Sequence, residues 1–140
     1  MLGLETKRMQ EAQNTNVVQD AYAAFGRGDV QAILNSLGDD IVWQGVKGTG
    51  PQVPTSGERR GKPAVAEFFK QMAANYTFSR FEPRDFIAQG DKVAALGHYT
   101  ATTAAKKTFD SDWVMVFTFR GGKIVLFQEY CDSAAINAAF

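Results

Sequence analysis

The sequence has few of the residues that staple or anchor small proteins. One cysteine among 140 residues, Cys131, excludes an internal disulfide and favours a reducing compartment, so we expect a cytoplasmic protein. One histidine, His98, is too few for a histidine-based metal site, and we predict neither a metal nor a cofactor. No apolar run approaches the roughly 18 residues of a membrane span, and no signal-like segment opens the chain. No membrane partner is therefore expected.

Net charge is absent as well. Fifteen basic and fifteen acidic residues give a formal charge of zero, and no basic stripe is visible, so nucleic acid is not a predicted partner. Hydrophobic residues make up 45%, a usual value for a globular protein, and the length fits one domain. Eleven phenylalanines are many for this length, and they either fill a core or line a cavity for an apolar ligand.

Apolar spacing predicts helices in the first half of the chain and strands in the second. Residues 1–13 are interpreted as a mobile N-terminal arm or a frayed helix start. A first helix is expected from Asn14 or Thr15 to Phe25, a second from Asp29 to Leu37 and a third from about 62 to 75. A short strand is expected at 41–43, followed by a glycine- and proline-rich loop over 44–61. Four long strands follow, at 77–88, 92–104, 108–120 and 123–132. This order predicts an α+β fold in which a curved, cone-shaped, mixed or antiparallel sheet wraps around three N-terminal helices.

The last hairpin predicts a second apolar surface. A two-residue turn at Gly121-Gly122 pairs Phe119 with Ile124 and, in continuous register, Trp113 with Tyr130. Alternation then divides the hairpin into two faces. The first face contains Trp113, Met115, Phe117, Tyr130 and Asp132, and the second contains Val114, Val116, Phe127, Glu129 and Cys131. Because the helices cover only one face, the other predicts a homodimer through the sheet, the alternative being that these residues are simply exposed.

Several segments together resemble the nuclear transport factor 2-like superfamily, and within it the SnoaL-like polyketide cyclases and ketosteroid isomerase-related proteins. The segments that carry the resemblance are residues 21–30, 39–43, 61–69 and 121–132, and they cover about 15–135. The resemblance implies a single SnoaL-like domain over 14–140 and a pocket for a small hydrophobic molecule. Members of such a fold include isomerases, cyclases, hydrolases and non-catalytic binders, so the fold alone does not fix the chemistry.

The resemblance does not carry over the catalytic set of ketosteroid isomerase, a worked case of tuned carboxyl groups. The base would fall at Gln44-Gly45-Val46 and the protonated aspartate near Met115. Residues 128–132 are also similar to the last strand of limonene epoxide hydrolases, with Glu129 at the position of the water-activating aspartate. The partner charges of that site are missing at 98–100.

The SnoaL-like cyclases imply a late-strand acid and a histidine in the pocket, roles that Asp132 and His98 could fill. Asp132 beside large apolar groups would have a raised pKa, which suits proton transfer, whereas the alternative is a helix cap. His98 is either a proton shuttle or a hydrogen-bonded sheet residue, and Tyr22 is the candidate oxyanion donor. The predicted ligand-binding residues are Trp43, Trp113, Tyr130, Phe25, Phe117 and Met115.

Three functions remain open at this point. The first is a cofactor-independent isomerase or cyclase that moves a proton next to a carbonyl. The second is a protein that binds an apolar ligand without turnover. The third is a dimerisation module whose interior is filled by its own phenylalanines. Glu129 is interpreted as an interface residue and Cys131 as inert packing.

Overall fold

A computed structural model describes residues 2–140. The described residues form helices at α1 Leu2–Gly26, α2 Val30–Asn35, α3 Lys62–Asn75 and α4 Ser133–Asn137. They form strands at β1 Leu37–Gly45, β2 Gly57–Arg60, β3 Tyr76–Gln89, β4 Lys92–Thr103, β5 Thr108–Arg120 and β6 Lys123–Cys131. The predicted α+β class and the four long C-terminal strands are confirmed.

The six strands make one curved, unclosed sheet with the order β2-β1-β6-β5-β4-β3. Neighbours pair antiparallel except β1 and β6, which are parallel, so the sheet is mixed. The β3–β4 ladder shifts register twice, and such bulges bend a sheet. Helices α1, α2 and α3 lie against the concave face, where the buried core collects.

The predicted start of the first helix was wrong. Helix α1 begins at Leu2 rather than at Asn14, because residues 4–13 are mostly good helix formers and contain no proline. The side chains of this first part are largely exposed, which is why apolar spacing did not reveal it. A hydrogen bond links this first part to the sheet, because the backbone N–H of Gly90 donates to Glu11 Oε2 at 2.7 Å.

Two further boundaries differ from the predictions. The second helix ends at Asn35, and Leu37 opens β1 because it pairs with Ile124 of β6. Residues 46–56 are not an exposed loop, since Val46, Val53 and Thr55 are buried against the helices and sheet. The chain returns from this segment as β2, which pairs with β1 and forms the edge of the sheet.

The β5–β6 hairpin contains a bulge that the predicted register lacked. The Gly121-Gly122 turn has positive φ at both residues, and the Phe119–Ile124 pair forms as predicted. The next pair is Thr118 with Leu126, so Val125 is the extra residue. Beyond it every side chain of β6 changes face, because side chains alternate along a strand.

Candidate functional site

A cavity of about 60 Å³ lies between the concave face of the sheet and the three large helices. Its wall is mainly aromatic. The rings come from Tyr22, Phe25, Trp43, Phe68, Phe69, Tyr76, Phe78, Phe81, Tyr99, Phe109, Phe117 and Phe127, with Met115 and Glu129 among the remaining lining residues.

Strand alternation explains how the sheet supplies this wall. Tyr99 on β4, Met115 and Phe117 on β5, and Phe127 and Glu129 on β6 are all buried, whereas their immediate neighbours are more exposed. Phe127 reaches the wall only because of the bulge at Val125, and it stacks on Trp43 with ring centroids 3.8 Å apart. The same bulge places Glu129 inside.

Glu129 is the one carboxylate among the described lining residues, and it is 4% exposed. Its Oε1 accepts from the backbone N–H of Val46 at 3.1 Å, and its Oε2 accepts from the Tyr99 hydroxyl at 2.9 Å. Burial raises the pKa of this carboxyl, and the two hydrogen bonds offset part of that rise. A carboxyl with a raised pKa can both accept and release a proton near neutral pH.

The backbone at Val46 is strained. Its φ is +40°, in the left-handed region that a β-branched residue rarely occupies. Two hydrogen bonds hold it there: its own N–H donates to Glu129 Oε1, and the N–H of Lys47 donates to the Glu129 carbonyl oxygen at 2.9 Å. Strain of this kind persists only where surrounding contacts enforce it, and here the contacts converge on Glu129.

Three tyrosine hydroxyls share the cavity with Glu129. Tyr99 donates to Glu129, and Tyr22 donates to the Met115 sulfur at 3.1 Å, a weak acceptor. Tyr76 forms a 2.5 Å hydrogen bond with Thr55. Burial, followed by the nearby Glu129 charge, raises the pKa of Tyr22 and Tyr99, so both stay protonated near neutral pH. Burial also raises the pKa of Tyr76, to about 12.

Most of the predicted ligand-binding residues lie at this cavity. Phe25, Trp43, Met115 and Phe117 line it, and so does Tyr22, the predicted oxyanion donor. Trp113 lies on the same face and is buried, but it stands behind Tyr22 and stacks on that ring at 5.7 Å. Their roles toward a ligand remain predictions.

Three predicted residues lie elsewhere. Tyr130 was assigned to the pocket face, but the bulge turns it to the opposite surface, where it is 42% exposed. Asp132 is exposed and caps α4, because its Oδ1 accepts from the Ala135 N–H at 3.1 Å. The helix-cap alternative is therefore the arrangement found for Asp132.

His98 is also outside the cavity. It lies between two inward-facing neighbours of β4, so its ring points to the outer surface. There Nδ1 lies 2.7 Å from Asp112 Oδ1 and Nε2 lies 2.5 Å from Asp110 Oδ1. Hydrogen bonding to these carboxylates raises the pKa of His98. This is the hydrogen-bonded sheet histidine that the sequence left as an alternative.

The acid that sequence reasoning placed wrongly is Glu129, and Tyr99 was missed as its partner. The similarity of residues 128–132 to a catalytic last strand already pointed to Glu129. The assumption of an unbroken hairpin placed that residue on the opposite face, and Cys131 with it. Burial raises the pKa of the Cys131 thiol to about 12, in keeping with the predicted packing role.

Two further observations concern metal ligands and membrane spans within residues 2–140. No group of three or more metal-ligating side chains is found among these residues. None of the helices described here is long and apolar enough to cross a membrane.

The profile of the SnoaL-like domain family matches residues 18–127. A nuclear transport factor 2-like protein from Burkholderia xenovorans LB400 is 33% identical, with a TM-score of 0.82 over 92% of this chain and 96% of that one. A protein of unknown function from Burkholderia pseudomallei K96243 is 24% identical, with a TM-score of 0.83 over 91% and 96%.

TerC, crystallised with polyporic acid, is 26% identical to this chain, with a TM-score of 0.78 over 91% of this chain and 97% of TerC. No curated protein matches the chain. The family profile covers most of the chain, and the first of these structures shares a third of its residues over nearly its whole length. The chain therefore belongs to the SnoaL-like domain family and has the nuclear transport factor 2-like fold.

Proposed function

We propose that the protein binds a small, largely apolar molecule in the aromatic cavity and moves a proton next to its carbonyl group, as a cofactor-independent isomerase or cyclase. The observation that carries this proposal is the position of Glu129, a fully buried carboxylate at the wall of an otherwise apolar cavity. Natural proteins seldom bury a carboxylate without a cation, because the desolvation cost is large. Such groups are concentrated at functional sites.

In the proposed reaction, ionised Glu129 removes a proton from the carbon next to the carbonyl. The C–H electron pair moves into a C–C double bond, and the carbonyl π pair moves onto oxygen to give an enolate. The Tyr22 hydroxyl stabilises that oxygen by leaving its weak sulfur acceptor for a stronger one. An isomerase then returns the proton from Glu129 to a different carbon. In a cyclase the enolate carbon instead attacks a second carbonyl, whose π pair moves onto its oxygen, and that oxygen takes the proton from Glu129.

Tyr99 acts as a positioning residue in this scheme. Its hydroxyl donates to Oε2, and the Val46 N–H donates to Oε1, so the carboxylate plane is held from both sides. These two bonds fix which lone pairs remain available toward the cavity. They also lower the pKa of Glu129, against the effect of burial, and so favour the ionised form that a base requires.

The size of the cavity limits the ligand. About 60 Å³ accommodates only a molecule of a few non-hydrogen atoms. Larger ligands require movement of lining residues that are only half-buried, such as Phe25, Met72, Phe78 and Phe81 on α1, α3 and β3. TerC was crystallised with polyporic acid, which supports small-molecule binding in a relative of this size and fold.

A deuterium exchange assay tests the proposal. We expect the protein to accelerate incorporation of deuterium from D2O at the α-carbons of 2-butanone or cyclopentanone, measured by proton NMR. Glu129→Gln should slow this exchange at least about 100-fold, as expected for loss of a general base. Glu67→Gln, on an exposed position of α3, removes the same charge and should leave the rate unchanged.

The same assay separates the two remaining alternatives. Ligand binding without exchange would identify a binding protein, which the small cavity and its closely packed rings also favour. Exchange that survives in Glu129→Gln would contradict the assignment of the base. The absence of any binding would leave the dimerisation module as the function.

We also propose that a second copy of the chain covers the outer face of the sheet. An apolar patch runs across β4, β5 and β6 on that face, formed by Leu96, Val114, Val116, Leu126 and Tyr130. Bordering Ile87 is 60% exposed. An apolar patch on one sheet face can pair with itself about a two-fold axis, as most homodimers do.

Val116→Asp tests this pairing because it places a charge at the middle of the patch. We expect the wild-type protein to elute as a dimer and the variant as a monomer, with the mass measured by light scattering. Gln13→Asp on the exposed part of α1 is the control and should remain dimeric. A monomeric wild-type protein would refute the proposed interface.

A further inference from the structure

We propose that the cavity binds small organic cations, with the ammonium group of an aliphatic amine beside Glu129 and its carbon body among the aromatic rings. This proposal rests on the proposed function in one respect only, that the cavity admits a ligand. It adds a ligand class and does not depend on catalysis. The geometry that carries it is a buried, uncompensated carboxylate inside a cage of ring faces.

The hydroxyl donors of the cavity are already occupied, whereas the buried indole N–H of Trp43, which also lines the cavity, has no partner among the described residues. The Tyr99 hydroxyl donates to Glu129, and the Tyr22 hydroxyl donates to the Met115 sulfur. Tyr76 and Thr55 bond to each other. The groups that remain free for a ligand are carboxylate lone pairs and π faces, which attract donors and cations, and the single Trp43 N–H, which attracts an acceptor.

The ring faces add to the negative charge of the carboxylate. Aromatic rings carry a negative face, and a cation within about 6 Å of a ring centroid is attracted to it. The cavity lining brings Trp43, Phe127 and Phe117 together through contacts of 3.8 and 5.2 Å between centroids, next to Met115 and Glu129 on the same sheet face. In a space with little water, these contributions are weakly screened.

No cation of the protein compensates Glu129 among the described residues. None of the ion pairs found there includes it, and no basic side chain contributes to its pKa. The nearby segment 44–61 carries three basic residues with other contacts, of which Arg60 pairs with Glu58. Lys47 donates to Gln44 and lies over the outward-facing Tyr130 ring, and Arg59 donates to the Pro54 carbonyl. A ligand cation would therefore be the first counter-charge that Glu129 meets.

Ligands of similar size and different charge test this inference. Isobutylamine, isobutanol and isobutyrate share a branched carbon body of the volume the cavity allows, and they carry positive, zero and negative charge near neutral pH. Binding to the purified protein is measured at pH 8 by calorimetry and by the fluorescence of the two tryptophans, one of which, Trp43, lines the cavity. We expect isobutylamine to bind at least tenfold more tightly than isobutanol, and isobutyrate not to bind.

The variant arm separates the carboxylate from the cage. Glu129→Gln should abolish the preference for the amine while isobutanol affinity stays within about twofold, because the rings remain. Glu67→Gln should retain the full preference. Isobutanol binding as tightly as the amine, or an amine preference that survives in Glu129→Gln, would overturn the inference and leave the proposed function intact. Failure of all three compounds to bind would refute both.

Discussion

Replacement of Gly97 by alanine is expected to lower the free energy of unfolding by about 3 kcal/mol, the upper part of the range for overpacked cores. Gly97 lies on β4 beside a register shift of the β3–β4 ladder and opposite Trp113 of β5. A Cβ atom there would come within 3.0 Å of the Glu82 carbonyl oxygen and of the Trp113 ring, closer than real Cβ atoms come. The backbone oxygen cannot move aside without breaking the ladder, so the sheet must distort.

Urea denaturation of the Gly97→Ala protein measures this effect. Gly26→Ala is the matched control, because a Cβ at the end of α1 meets nothing within 4 Å, and alanine is a better helix former than glycine. We expect the control to be as stable as wild type or slightly more stable. A loss below about 0.5 kcal/mol in Gly97→Ala would contradict the predicted clash.

Glu129→Gln is expected to stabilise the protein by about 2 kcal/mol at pH 8, and to have little effect at pH 4, because it removes a buried charge. The sign follows from the raised pKa of the folded carboxyl, compared with its ordinary value of 4.5. As pH rises past that ordinary value, the unfolded chain loses its proton first, and the folded state becomes less favourable. The penalty grows until the pH passes the raised pKa and is constant above it.

The measurement is the free energy of unfolding of both proteins at several values between pH 4 and pH 8. The pKa of His98 is raised, mainly by hydrogen bonding to Asp112, and that of Asp110 is lowered, mainly by hydrogen bonding to Thr100. Both groups also make stability depend on pH, but they act equally in the two proteins, so the difference isolates Glu129. The amide can still accept from the Val46 N–H and donate to the Tyr99 oxygen, so the fold should persist. A difference in free energy of unfolding that does not change with pH would show that burial does not raise the pKa of Glu129.

Local sequence signals were sufficient for much of the fold. Strands β3 to β6 were predicted within two residues at each end, because long apolar alternation and the Gly121-Gly122 turn are strong local features. The start of α1 was not predicted correctly, because a helix that is exposed on nearly all sides has no apolar stripe. Likewise Leu37 could belong to a helix or a strand, and only its pairing with Ile124 decides between them.

The candidate site was predicted only in part, and the reason differs from the one that applies to the fold. Large aromatic residues such as Phe25, Trp43 and Phe117 are assigned to a buried wall by composition and spacing alone. Which acid enters that wall depends on register, and register depends on one unpaired residue, Val125, whose own side chain gives no warning of a bulge. The prediction therefore identified the correct strand but chose Asp132 in place of Glu129.

The bulge at Val125 makes the chemical character of the cavity depend on the pairing register of the last strand as well as on residue identity. With the extra residue, the last strand turns a carboxylate and a phenyl ring inward and a phenol and an amide outward. If Val125 paired with Thr118 instead of bulging, the same residues would offer Gln128 and Tyr130 to the interior and leave the acid outside. The choice between a bulged and a regular pairing of one residue is thus enough to decide between an acidic and a neutral interior, without a substitution at the site.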